Sequence, residues 1–317
     1  DVSGEWKLDS DFTGGVIFKP VSAIARVNLN GHTVTVDSGG IQIRNPKWSI
    51  ISENGVLTSN QKFIDIFAHE RTIAGMGAPH YGLVINSVIA DSNNQKVGLR
   101  LTGDRPAPAY ATVVQLRGSK SNTFTGDVIV SGASNYLALG KENGAIAVQG
   151  NIFVSNGGIL RFDENQQVSR QTRITLNRGT IYFGNVNKNM DTRFNSVIIE
   201  RSGTISFGHS GTHIGGRQLY LDELVIQGGG HLKIVEWSPG RDHVFVSKKM
   251  SKKSLEAMLS KISFNGWPPG QTHLRSYDDK YWTIYGTPEP ETYGAIFGTL
   301  GLGLVVWRKH RRARQKQ

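Results

Sequence analysis

Along residues 152–234 the chain alternates apolar and polar positions in paired short runs. Ile152-x-Val154 leads to Gly158-x-Leu160-x-Phe162, and Ile174-x-Leu176 leads to Gly179-x-Ile181-x-Phe183. Val197-x-Ile199 leads to Gly203-x-Ile205-x-Phe207, and Leu224-x-Ile226 to Gly230-x-Leu232-x-Ile234. An earlier copy runs from Val34-x-Val36 to Gly39-x-Ile41-x-Ile43. A period of two marks strands with one buried face, and a glycine between two such runs marks a turn whose conformation other residues resist. The unit is strand, turn, strand. Gly158, Gly179, Gly203 and Gly230 follow one another at 21, 24 and 27 residues, about one coil of a parallel β-helix each. One coil cannot bury its apolar pairs alone, but stacked coils can. The spacing predicts one interior column of Leu160, Ile181, Ile205 and Leu232, and a second of Phe162, Phe183, Phe207 and Ile234 that begins as an aromatic ladder. A β-sandwich or a string of hairpins is the competing arrangement of such short strands.

The remaining body is less regular. Residues 84–89 and 97–101 read as strands, while Arg105-Pro106-Ala107-Pro108-Ala109 breaks pairing and reads as a loop over 103–111. Over 251–262, Ser254, Leu255, Met258, Leu259 and Ile262 make an apolar stripe at helical spacing behind a Ser251 or Ser254 cap, with Lys252, Lys253 and Lys261 on the other faces. This predicts an amphipathic helix that closes one end of the stack. The segments Gly266-Trp267-Pro268-Pro269-Gly270 and Tyr277-Asp278-Asp279-Lys280-Tyr281-Trp282 read as a short irregular module, in which Trp267, Trp282 and Tyr285 either pack into a core or stack on sugar rings.

The tail has a different pattern. From Tyr293 to Trp307 there is neither charge nor proline, and the segment is apolar all round, as suits a helix in lipid. Tyr293 and Trp307 stand where interfacial aromatics sit, with Phe297, Leu300, Leu302 and Leu304 between them. Arg308, Lys309, Arg311, Arg312, Arg314 and Lys316 follow at once, an order that places them in the cytoplasm and the upstream chain outside. Fifteen residues at about 1.5 Å each reach roughly 22 Å, short of the ~30 Å hydrocarbon core. Snorkelling of Arg308 and local thinning would absorb the difference.

Pro288-Glu289-Pro290, the apolar segment 293–307 and the basic tail 308–317 together resemble the PEP-CTERM sorting signal of Gram-negative envelope proteins. Gly294 to Gly298 and Trp307-Arg308-Lys309 look most like the variants of Verrucomicrobia-type bacteria. The resemblance implies transient insertion in the inner membrane, recognition by an exosortase-type sorting protease, cleavage near Pro288-Glu289-Pro290, and delivery to the cell surface or extracellular matrix. Ser121-Asn122-Thr123-Phe124-Thr125-Gly126, followed by Val128-Ile129-Val130 and Gly132, is similar to the autotransporter-associated β-strand repeat, with Phe124 in place of the usual Tyr. That second resemblance covers roughly 121–234, with a degenerate copy at 30–43, and implies a right-handed parallel β-helix. No translocating barrel follows it in this sequence, so the sorting signal takes the place of the autotransporter route.

Composition narrows the function classes. The 317 residues hold 38 glycines, 10 prolines and no cysteine, which excludes disulfides and Cys-based metal or redox sites. Of the net charge of +11, six positive charges lie in 308–316 and four in Lys248, Lys249, Lys252 and Lys253, leaving the rest near +1. This argues against nucleic acid as a partner, because such a binder spreads its cations over one face. The sequence opens at Asp1 without a basic and apolar leader, so export is inferred from the tail.

Catalytic motifs fail their own tests. Gly208-His209-Ser210-Gly211 lacks the last glycine of a nucleophile elbow, and Gly75-Met76-Gly77 has His80 where a dinucleotide loop needs glycine. His69-Glu70 has Ile73 where a zinc-protease motif needs histidine, and Gly228-Gly229-Gly230 lacks the aspartate of a calcium nonapeptide. Arg161, Asp163, Glu164 and Arg170 could converge on one coil edge, as a polysaccharide lyase or glycosidase would require.

The expectation is an all-β protein: a right-handed parallel β-helix with a small helical C-terminal cap and a C-terminal transmembrane helix. Its units would be an N-terminal solenoid part (1–120), β-helix repeats (121–245), a cap module (246–286) and the sorting signal (287–317). It is read as a non-catalytic, cofactor-free and metal-free adhesion or scaffold protein of the cell envelope, with extracellular polysaccharide as a candidate partner. A carbohydrate-active β-helix enzyme is the alternative.

Overall fold

The computed structural model describes residues 5–18, 24–43, 48–68, 81–93, 95–102, 112–133, 135–184, 188–208, 215–265, 267 and 269–286. Strands stack into a parallel β-solenoid with three walls. An 11-stranded front sheet runs from Glu5–Lys7 to Ile262–Phe264, and a 12-stranded back sheet starts at Val16–Phe18. A 4-stranded side sheet is made by Phe12–Thr13, Thr33–Val36, Val56–Ser59 and Val88–Ile89. Successive coils pair in parallel, as Ile152↔Ile174↔Val197↔Leu224 does in the back sheet. This excludes the sandwich, whose consecutive strands would run antiparallel.

Alternation along each strand fixes which side chains face inward. In the front sheet one column runs Val27, Ile51, Ile85, Leu116, Leu139, Phe162, Phe183. The predicted ladder is there: Phe162 and Phe183 stack at 5.7 Å, Phe183 and Phe207 at 5.4 Å, and Phe194 joins Phe162 at 6.2 Å. All three ladder rings, Phe162, Phe183 and Phe207, are fully buried. The last rung differs from expectation. Ile205 pairs with Ile234, and Leu232 pairs with Gly203, so the final unit is offset by two residues from the column drawn by counting from Gly230. The longer turn at 227–230 supplies the extra residues.

The marker glycines also need correction. Gly39, Gly158, Gly179, Gly203 and Gly230 sit at or beside strand junctions, yet none has the left-handed conformation expected of them. That conformation falls on neighbours: Gly40 (φ 61°), Gly157 (φ 86°), Arg178 (φ 61°) and Gly228 (φ 41°). What requires glycine at 158 and 179 is proximity, because a Cβ there would collide with Val130 O and Val154 O of the previous coil. The copy at 34–43 is a different corner altogether. Thr33–Val36 belongs to the side sheet and Ile41–Ile43 to the back sheet.

Among the described residues beyond Ile89 the third wall holds no strand, only the isolated parallel bridge Val148↔Val168, and side-chain amides join the backbone in its hydrogen bonding. Asn122 Oδ1 accepts from Ile89 N at 2.9 Å, and its Nδ2 donates to Ala147 O at 2.8 Å. Gln167 clamps Lys141, accepting from its N at 2.7 Å and donating to its O at 2.9 Å. Gln166 bonds Arg193 N and O at 3.2 and 2.8 Å. The Asn122-Thr123-Phe124-Thr125-Gly126 segment thus has a physical reading. Asn122 bridges two coils, Phe124 is fully buried, Thr125 bonds the Asp91 carboxylate, and a Cβ at Gly126 would strike the backbone of Val97.

At the C-terminal end the strand His243–Ser247 covers only 218–221 of the preceding strand Arg217–Ile226, leaving 224–226 of the back sheet without a strand beyond it among the described residues. The helix Lys252–Leu259 follows, capped by Ser251, whose Oγ accepts from Ser254 N at 3.1 Å. Leu255 is buried, with Met258 and Leu259 packed against the core, and Met250 Sδ receives Leu224 N at 3.2 Å. The helix is shorter than the expected 251–262, because Ile262 opens the strand Ile262–Phe264. The predicted irregular module is a regular hairpin instead. Thr272–Ser276 and Tyr281–Gly286 add to the back sheet antiparallel, covering the edge of His243–Ser247 and making Thr272–Ser276 the terminal strand.

Candidate functional site

The residues assigned to sorting and anchoring, Pro288 to Lys316, lie outside the described residues. Among the described residues no helix is long and apolar enough to cross a membrane.

The charged constellation sits on the outer face of the front sheet. Parallel register lines up Gln115, Ala138, Arg161, Tyr182 and Ser206 in one outward row. Backbone bonds carry the register past the strand ends, where Gly140, Asp163 and Gly184 donate to Leu116, Leu139 and Phe162 of the preceding coils at 2.8–2.9 Å. There Arg161 Nε meets Asp163 Oδ1 at 2.5 Å, and Arg117 Nη2 meets Asp163 Oδ2 at 2.7 Å. The glycines make the room. A Cβ at Gly140 would collide with the Arg117 guanidinium, and one at Gly184 with Arg161 and Asp163.

The anticipated quartet is only half assembled. Arg161 and Asp163 meet, Glu164 turns to Lys188 at 2.7 Å, and Arg170 is exposed in a turn. Asp163 has 6% of its side chain exposed and gives one oxygen to each guanidinium. A carboxylate so engaged braces three coils and is poorly placed to exchange a proton with a substrate. Sequence reading missed Arg117, which lies 46 residues from its partner Asp163. Its signal is a phase: one residue past the inward Leu116 that ends its strand, as Asp163 is one past the inward Phe162.

Lys141 was missed as well. It is 1% exposed, its Nζ donates to Arg117 O at 2.7 Å, and burial pulls its pKa down to about 8 against the opposing pull of Glu53. Glu53 in turn is held below the usual carboxylate range by Ser119, whose hydroxyl and N–H both donate to it. Burial raises the Tyr136 hydroxyl, with Tyr182 adding to the effect. Among the described residues no three His, Asp or Glu side chains converge to hold a metal.

The back sheet carries a different outer row. Asp65, Arg100, Ile129, Phe153, Thr175, Ile198 and Val225 follow one another across consecutive coils. Asp65 and Arg100 form a bidentate pair at 2.5 and 2.7 Å, and then the row turns apolar, with Phe153 39% exposed. Of the aromatics read as core or sugar platform, Trp267 packs edge-on to Trp237 at 6.4 Å, Trp282 lies beneath Lys248 at 5.0 Å, and Tyr285 beneath Arg275 at 5.1 Å.

Comparison with known proteins adds no relative to set beside this geometry: no protein-family model matches the chain, nor does any curated protein or solved structure.

Proposed function

We propose that this chain is an exported surface protein, a β-solenoid used for adhesion or scaffolding, sent to the envelope by its PEP-CTERM-like tail and released there by an exosortase-type protease. The observation that carries the adhesive part is the outward row Ile129, Phe153, Thr175, Ile198 and Val225, which crosses five coils of the back sheet, is apolar at four of them and includes an exposed phenylalanine. A rigid sheet with apolar side chains at four of five successive rungs, and a threonine at the fifth, offers a flat contact strip, and exposed apolar surface of this kind marks interaction sites. The non-catalytic part is supported by Asp163, which is occupied by two arginines.

Mass spectrometry of the surface fraction from the native host tests the sorting. The expected product ends near Pro288-Glu289-Pro290, and recovery of intact 308–317 peptides from that fraction would defeat the reading. Adhesion is tested with the double variant Phe153→Glu/Ile198→Glu. Surface retention should fall while the melting temperature holds, and unchanged retention counts against the strip.

A further inference from the structure

Near the C-terminal end of the back sheet, rings gather on the solvent side, away from the interior core. Register places Arg193, Tyr220 and Phe245 in one outward row and Asp191, Gln218 and His243 in the next. Tyr220 stacks on Phe245 at 4.8 Å, His243 stacks on it at 5.2 Å with the planes 13° apart, and Tyr277 leans over it at 4.4 Å. Phe245 is fully covered, whereas Tyr277 keeps 52% of its surface in solvent. Beside these rings lies an open depression of about 400 Å³, lined by Asn189, Asp191, Gly216, Gln218, Arg241 and His243.

Anchoring the hairpin explains Phe245 and Tyr281, which meets Tyr220 edge-on at 5.1 Å. It does not explain the polar depression or the exposed ring beside it. The depression is built for orientation: Asn189 Oδ1 accepts from Gly216 N at 2.9 Å, and the Tyr220 hydroxyl donates to Gln218 Oε1. Both amides are thereby held with their N–H₂ ends as the remaining donors, while the exposed Asp191 carboxylate supplies acceptors.

We infer that this corner, the depression between Asp191, Gln218 and Arg241 with the His243 ring in its lining and the exposed Tyr277 ring 6.4 Å from His243, binds a pyranose unit of a polysaccharide. A pyranose has an apolar C–H face suited to an aromatic ring and an equatorial rim of hydroxyls suited to carboxylate, amide and guanidinium groups, and this corner sets the two surfaces side by side. Its volume lies within the range of small-ligand sites. The inference goes beyond the adhesive stripe: it concerns a separate corner of the back sheet and shares no residue with the row from Ile129 to Val225.

The test is calorimetric titration of the full chain with cellohexaose, maltohexaose, chitohexaose and hexagalacturonate, followed by assay of the same mixtures for new reducing ends and unsaturated products. At least one hexasaccharide should bind, and Tyr277→Ala should weaken it about tenfold without shifting the melting temperature. Asp191→Asn separates neutral from acidic sugars: it should weaken a neutral ligand and tighten hexagalacturonate. Absence of binding across the panel, or a Tyr277→Ala variant that melts lower yet binds equally well, overturns the site. Cleavage products would overturn the non-catalytic reading while leaving the site in place.

Discussion

The two halves of this solenoid solve one problem by different means. Up to Ile89 each coil has three strand walls, and backbone N–H and C=O groups pair along all of them. The front-sheet column there is aliphatic: Val27, Ile51, Ile85. After Ile89 the described residues of the third wall form no strand, side-chain rungs there are Asn122, Gln166 and Gln167, and the same column passes to Phe162 and Phe183. A strand wall spreads its hydrogen bonds over many interchangeable residues. A loop wall concentrates them in a few amides and fills the space behind with rings, so individual side chains should matter more in the second half.

The largest contrast should come from the ladder. Phe183→Ala removes a ring stacked on both sides and should cost about 4 kcal/mol, whereas Ile85→Val in the same column should cost about 1 kcal/mol. Denaturant melts of both variants check this, and equal losses would mean that the two halves share load evenly. Next is Asn122→Ala, which orphans Ile89 N–H and Ala147 C=O in one step and should cost about 3 kcal/mol. Thr35→Ala in the side sheet leaves its backbone pairing untouched and should cost less than about 1 kcal/mol.

The same difference explains what could be read in advance. Period-two alternation is a property of strands, so the back and front columns of 152–207 were visible from residue order, including the phenylalanine ladder. The offset at Ile205 and Ile234 was not visible, because glycine marks a close approach at 179 and a left-handed turn at 228, and the letter is the same for both. The clamps by Asn122 and Gln167 follow no period at all. The pairing of Arg117 with Asp163 reaches across the intervening coil at Gly140, 46 residues along the chain. Loop walls are written in single residues, and only stacking reveals which ones meet.

Buried charge sharpens the comparison further. Where the two halves meet, the bidentate pair Arg100 and Asp65 lies on the surface, with 43% of the arginine side chain exposed. In the second half Lys141 is enclosed. Burial lowers its pKa from 10.5 to about 8, so between those values the unfolded chain binds the proton and the folded chain does not. Stability must therefore rise with pH across that window, by up to about 1.4 kcal/mol per unit. Below pH 8 both states are charged and the penalty is fully present. The difference in melting temperature between the wild type and Lys141→Met, followed from pH 7.5 to 10, should grow in favour of the wild type. A flat difference would place the amine in contact with water.

The smallest expected effect lies in the three-walled half and tests whether strand walls tolerate imperfect interiors. Ser49 is fully buried between Ala25 and Leu83 in an inward column, and its hydroxyl has no partner among the described residues. Ser59, equally buried, donates to Val36 O at 2.6 Å. An unpaired hydroxyl keeps its desolvation cost, and a paired one offsets it. Ser49→Ala should therefore stabilise by about 1 kcal/mol, while Ser59→Ala should destabilise by a similar amount, since it strands the Val36 carbonyl and the Gln61 N–H that Ser59 Oγ accepts at 3.0 Å. Chemical melts of the two variants give the sign directly. If Ser49→Ala also destabilises, its hydroxyl has found a partner, and the strand-walled half depends on individual side chains as the loop-walled half does.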